Sequence, residues 1–106
     1  MPKYLFHGTY TPEGMRGVIK EGGTSRRDAV AKLAKSVGGN LESFHFAFGN
    51  DSFYVIVDMP DNEAAAATSM TVGAAGAASV STVVLLTPEE VDRAAKKSVT
   101  YRAPGT

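Results

Sequence analysis

The chain of 106 residues contains two histidines, His7 and His45, and no cysteine. Histidine is the side chain that most readily gains or loses a proton near neutral pH. If both imidazoles point into one cavity, they could transfer protons there, or bind a metal ion together with a carboxylate or a water molecule. Each could instead be a hydrogen-bonded or surface histidine. The sequence favours His7 as the first candidate for a catalytic base and His45 as a ligand contact.

Tyrosine and arginine side chains supply the other candidates. Tyrosines offer an aromatic surface and a hydroxyl, so Tyr10 is the second candidate for catalysis, and Tyr54 and Tyr4 are candidates for ligand contact. The alternative is that these tyrosines belong to the core, with the hydroxyl at its edge. Arg26 and Arg27 stand at the start of a predicted helix, where guanidinium groups and free N–H groups can hold an anion. We take Arg26 as a ligand contact, the alternative being a solvated helix start.

The composition narrows the possible chemistry. Without cysteine there are no disulfides, thiolate metal sites or cysteine nucleophiles. The 11 Lys and Arg residues balance the 11 Asp and Glu residues, and a formal net charge of +0 disfavours nucleic-acid binding through phosphate neutralisation. No phosphate-binding glycine loop and no zinc-hydrolase or serine-hydrolase motif occurs. We therefore expect no cofactor, no bound metal and no nucleic-acid partner.

The N-terminal segment lacks the long apolar stretch of a secretory signal, and the chain has no apolar run of about 18 residues. We therefore expect a cytoplasmic protein that does not insert into a membrane. The length suits one domain, which we place at residues 1–97, and residues 98–106 are expected to form a mobile tail.

Hydrophobic periodicity and capping residues predict the elements that must position these side chains. In chain order they are a strand at residues 3–10, a helix from Thr11-Pro12 to Gly22, a helix from a capping box at Ser25–Asp28 to Gly38, strands at 41–48 and 53–59, an alanine-rich helix from Pro60 to Ala78, a strand at 80–86, and a helix from a capping box at Thr87–Glu90 to Lys97. Phe44, Phe46 and Phe48 are expected to pack beneath the helices.

This order, β-α-β-β-α-β with an appended helix, predicts an α+β fold. The simplest arrangement is a ferredoxin-like, antiparallel four-stranded sheet with both main helices on one face. The strands at 53–59 and 80–86 are apolar on both faces, so a monomer would expose an apolar sheet face. We therefore expect the chain to partner with itself as a homodimer, or as a higher even oligomer, with sheets facing each other.

Several segments of the chain resemble the GYD domain family, over residues 1 to about 97. They include Tyr10-Thr11-Pro12-Glu13-Gly14, Gly39-Asn40-Leu41-Glu42-Ser43-Phe44, Phe46-Ala47-Phe48-Gly49, Val55-Ile56-Val57-Asp58-Met59-Pro60-Asp61-Asn62 and Leu86-Thr87-Pro88-Glu89-Glu90. The resemblance implies the dimeric α/β-barrel superfamily, but no particular reaction and no catalytic residues. The family's Gly-Tyr-Asp signature is changed here, because the hairpin reads Gly49-Asn50-Asp51-Ser52, without the tyrosine.

Two functions follow as expectations. The first is binding of a small apolar molecule, in a cavity between helices and sheet or between paired sheets. The alternative is a cofactor-free monooxygenase or isomerase of the dimeric α/β-barrel type, with His7 as its base. A third possibility is a non-catalytic oligomer in which subunit packing covers the whole apolar face.

Overall fold

The computed structural model describes residues 1–106 as eight elements. In chain order these are β1 (Lys3–Tyr10), α1 (Pro12–Glu21), α2 (Gly23–Ser36), β2 (Asn40–Phe46), β3 (Phe53–Asp58), α3 (Asn62–Ala75), β4 (Ala78–Leu85) and α4 (Pro88–Ala95). The four strands form one antiparallel sheet in the order β2-β3-β1-β4. The prediction of a ferredoxin-like α+β fold is therefore confirmed.

Side chains alternate between the two faces of this sheet. On β1 and β3 every second residue is buried, among them Tyr4, Phe6, Val55 and Val57, and these point toward α2 and α3. We call this side of the sheet the helix face. The other side, which no helix covers, we call the open face. Residues paired across antiparallel strands share a face, and the open face therefore carries Leu5, His7, Tyr54, Ile56, Val83 and Ser81.

The core lies between the helix face and the two main helices. Tyr4, Val57 and Met59 are its largest fully buried side chains. The helices reach the sheet through small residues, since Ala34 of α2 and Ala65 of α3 are almost completely buried. Small side chains let the helix backbones approach the sheet closely at these two positions.

The end of β1 and the start of α1 dock against the turn between α3 and β4. The Thr11 backbone N–H donates to the Ala77 carbonyl over 2.9 Å, and the Thr11 hydroxyl donates to the Gly76 carbonyl over 3.1 Å. Gly14 in the first turn of α1 lies so close that a Cβ there would be 2.0 Å from the Ala77 carbonyl oxygen. This contact requires glycine at position 14.

Capping is correctly predicted for two helices and wrongly for a third. The Thr11 and Thr87 side chains accept hydrogen bonds from the first turns of α1 and α4, and Glu90 completes a capping box with Thr87. The predicted box at Ser25–Asp28 is wrong, because α2 already begins at Gly23. Gly22 has a φ of +86°, which lets the chain turn from α1 directly into α2 and places Ser25 inside the helix.

Other boundaries also differ from prediction. The helix α3 ends at Ala75, because Gly76 adopts a left-handed conformation, and Ala78 is instead a buried residue of β4. The strand β2 ends at Phe46, so Phe48 lies in the hairpin loop. Its side chain is fully exposed, and the expectation that it packs beneath the helices is wrong.

The last helix, α4, stands apart from the core. None of its residues is buried, and the apolar side chain of Val91 is exposed. None of the four helices combines the length and the apolar composition needed to cross a lipid bilayer.

Candidate functional site

The predicted site residues fall into three groups. Two of them line a cavity on the helix face, three lie on the open face, and one is buried in the core. These are, respectively, Tyr10 and Arg26; His7, His45 and Tyr54; and Tyr4. The structure therefore does not bring His7 and Tyr10 together, since residues three positions apart on a strand point to opposite faces.

The cavity lies between the helix face, α2 and α3. It has a volume of about 280 Å³, and 14 of its 18 lining residues are hydrophobic. Phe6 and Val55 form its floor on the sheet, Val30 belongs to the α2 wall, and Val72 and Ala75 belong to the α3 wall. Binding cavities for small molecules are typically apolar with a few polar groups, and this cavity is at the small end of their size range.

Besides Thr68, Ser69 and Thr71 of α3, two polar side chains line this cavity from the ends of elements. Tyr10, at the end of β1, packs its ring against Phe53 with ring centroids 5.0 Å apart. Burial raises the pKa of Tyr10, while the positive charge of Arg26 acts against this rise and the negative charge of Glu21 adds to it. Tyr10 is thus a protonated phenol near neutral pH, which can donate a hydrogen bond but is poorly suited to act as a base.

Arg26 extends from the first turns of α2 to the cavity. Its neighbour Arg27 does not line the cavity and instead pairs with Asp28, with 3.1 Å between Arg27 Nη2 and Asp28 Oδ1. The two arginines that the sequence places together at a helix start therefore have different environments.

Tyr4 has a structural role. Its ring is fully buried, and its hydroxyl donates to Asn62 Oδ1 at the start of α3 over 2.5 Å. This hydrogen bond ties α3 to β1. Tyr4 does not line the main cavity, although it forms part of a shallower groove next to Met70 and Val84.

On the open face, His7 is held by a carboxylate. His7 Nδ1 lies 2.6 Å from Asp51 Oδ2. An ionised carboxylate only accepts hydrogen bonds, so Nδ1 carries the hydrogen and Nε2 of the neutral ring is free to accept a proton. The Tyr54 ring stacks on the imidazole, with centroids 6.0 Å apart and planes 12° apart. Both His7 and Asp51 are about three-quarters buried.

The two histidines share the open face but are not neighbours. The strand register places His45 beside Tyr54, Tyr54 beside His7, and His7 beside Ser81. The two histidines are thus separated by two strand spacings, about 10 Å. No group of three or more His, Asp or Glu side chains is arranged to hold a metal ion. His45 itself is exposed and makes no side-chain hydrogen bond.

Sequence reasoning missed Asp51 as the partner of His7. The hairpin loop that carries Asp51 folds back onto the end of β1. The Ser52 N–H donates to the Gly8 carbonyl over 2.6 Å, and the Thr9 hydroxyl donates to the Asn50 carbonyl over 3.2 Å. These bonds fix the loop beside His7. The only sequence signal for this role is an acidic residue near the position of the family's Gly-Tyr-Asp signature.

The fold and the sites define a small ferredoxin-like α+β protein, with an apolar cavity under its helices and a His–Asp pair on its open sheet face. The chain belongs to the GYD domain family, whose sequence model matches residues 4–95. The resemblance in the sequence is thus confirmed over most of the chain. Neither curated protein sequences nor solved structures give a significant match.

Proposed function

We propose that this protein binds a small, largely apolar molecule in the cavity between the helix face, α2 and α3. The observation that carries the proposal is the cavity itself, which has about 280 Å³ of space and mostly hydrophobic walls. The cavity opens to solvent beside its exposed lining residues Thr71, Ala75 and Ala77, which gives a ligand access to it. An engineered apolar cavity of about 150 Å³ binds benzene. A cavity of nearly twice that volume suits a molecule the size of two fused rings.

Two adjacent alanines of α3 provide a matched test. Ala75 lines the cavity, Ala74 does not, and both are exposed. We expect Ala75→Phe to place a ring in the cavity and weaken binding of 2-naphthol at least about 10-fold, because the ring takes up apolar surface that the ligand would bury. Ala74→Phe should leave binding unchanged. Titration of isotope-labelled protein by NMR measures both affinities and locates the site.

Two results would contradict the proposal. One is the absence of saturable binding of 2-naphthol to the unmodified protein, and the other is equal binding of 2-naphthol by the two phenylalanine variants. Circular dichroism spectra of both variants establish that they remain folded.

A second candidate function rests on the His7–Asp51 hydrogen bond. We propose that His7 can act as a base toward a molecule on the open face, with Nε2 accepting the proton and Asp51 holding Nδ1–H. A carboxylate in this position orients the imidazole and stabilises its protonated form. Chemistry of this type, such as cofactor-free oxygenation or isomerisation, requires a base and a reactive substrate in apolar surroundings. Leu5 and Val83 supply apolar side chains beside the pair.

We further propose that the open face pairs with the same face of a second copy. Leu5, Ile56 and Val83 form an apolar row across its centre. The charged groups at its edge are already paired within the chain, since Lys3 Nζ lies 2.9 Å from Asp58 Oδ1. Because Lys3 pairs with both Glu42 and Asp58, these side chains are held at the edge of the face, and the contact with a second copy rests on the apolar centre. A two-fold dimer is the commonest such assembly.

A further inference from the structure

The cavity contains one charged side chain, Arg26, and this charge has no partner in the chain. Arg26 is partly buried and makes neither an ion pair nor a side-chain hydrogen bond. Most other Lys and Arg side chains are also unpaired, but they are exposed. Lys3, the other partly buried cation, pairs with Glu42 and Asp58. Glu21, whose negative charge acts on Tyr10, forms no ion pair with Arg26.

A guanidinium group stays charged at every physiological pH. Removing such a group from water without a partner costs free energy, and a carboxylate that accepts its hydrogen bonds offsets this cost. Tyr10 adds a neutral hydroxyl donor to the same cavity. Arg26 and Tyr10 thus offer hydrogen-bond donors to a ligand whose body fills the apolar part of the cavity.

We propose that the natural ligand is an amphipathic organic acid, with a carboxylate bound by Arg26 and an apolar body about the size of two fused rings. This inference rests on the proposed function, because it assigns a ligand class to the same cavity. It assigns Arg26 to the ligand and excludes Arg27, which does not line the cavity and pairs with Asp28.

The test compares 2-naphthoate with 2-naphthamide, which has nearly the same shape but no charge. Isothermal titration of the unmodified protein at neutral pH should show that the carboxylate binds about 10-fold more tightly, as expected for hydrogen bonds to a charged group. Arg26→Gln should abolish this preference, Arg26→Lys should retain part of it, and the control Arg27→Gln should retain all of it. The lysine variant separates loss of charge from loss of fold.

The outcomes distinguish this inference from the proposed function. Equal affinity of the unmodified protein for the two compounds would overturn the inference that the ligand is an organic acid. It would leave the apolar cavity as a binding site. A carboxylate preference that persists in Arg26→Gln would overturn the role of Arg26. Failure of both compounds to bind would overturn the inference together with the proposed function.

Discussion

At the scale of single residues, the His7–Asp51 hydrogen bond makes a direct kinetic prediction. The probe 5-nitrobenzisoxazole loses one C–H proton to a base as its N–O bond breaks, and it needs no cofactor. We expect His7→Ala to lower the protein's catalysis of this reaction about 100-fold, the usual contribution of a positioned base. Asp51→Ala should give a smaller loss, because His7 remains but its ring is no longer held. Product absorbance measures the rate.

His45→Ala is the matched control for this experiment. His45 shares the open face with His7, but it is exposed and has no carboxylate partner. Its loss should leave the rate unchanged. Equal rates for the His7 and His45 variants, or a rate in the unmodified protein no higher than that of free imidazole, would remove His7 as a base.

At the scale of elements, two glycines of α1 predict opposite effects on stability. A Cβ at Gly14 would lie 2.0 Å from the Ala77 carbonyl oxygen, whereas a Cβ at Gly17 would meet nothing within 4 Å. Gly14→Ala should therefore lower the free energy of unfolding by about 1–3 kcal/mol, because α1 must move away from the turn between α3 and β4. Gly17→Ala should raise it by about 1 kcal/mol, the difference in helix propensity. Urea unfolding measures both, and stabilisation by Gly14→Ala would contradict the close contact.

The elements also show which features a sequence can predict. The caps at Thr11 and Thr87 depend on residues three positions apart, so local chemistry was enough to predict them. The start of α2 was missed because the left-handed Gly22, rather than the Ser25 motif, decides it. The His7–Asp51 pair joins positions 44 apart and depends on how the hairpin loop meets β1. The placement of His7 and Tyr10 on opposite faces could have been predicted from the sequence alone, because the two residues lie three positions apart on one strand.

At the scale of the whole molecule, the two faces of the sheet have different solvent exposure. On the central strands β1 and β3 the helix face is covered, whereas Val84 of the edge strand β4 is 55% exposed on that side. On the open face Val83 and Tyr54 are each about 40% exposed. The appended helix α4 also buries none of its residues against the single chain. Both features are expected of a subunit whose surface is completed by another copy, and the open face is where the apolar side chains of three strands meet.

Pairing of the open faces predicts that a charge in the centre of this face prevents association. Val83 lies beside Leu5 there, so Val83→Lys would bury an ammonium group from each subunit without a partner. We expect the dimer dissociation constant to rise at least about 100-fold, since an unpaired buried charge costs several kcal/mol.

Ile19→Lys is the control, because Ile19 is 77% exposed on α1 and is not part of the sheet. Sedimentation velocity should show dimers for the unmodified protein and for the Ile19 variant, and monomers for the Val83 variant. An unmodified protein that is monomeric at micromolar concentration would contradict the pairing, and a Val83 variant as dimeric as the control would place the interface elsewhere.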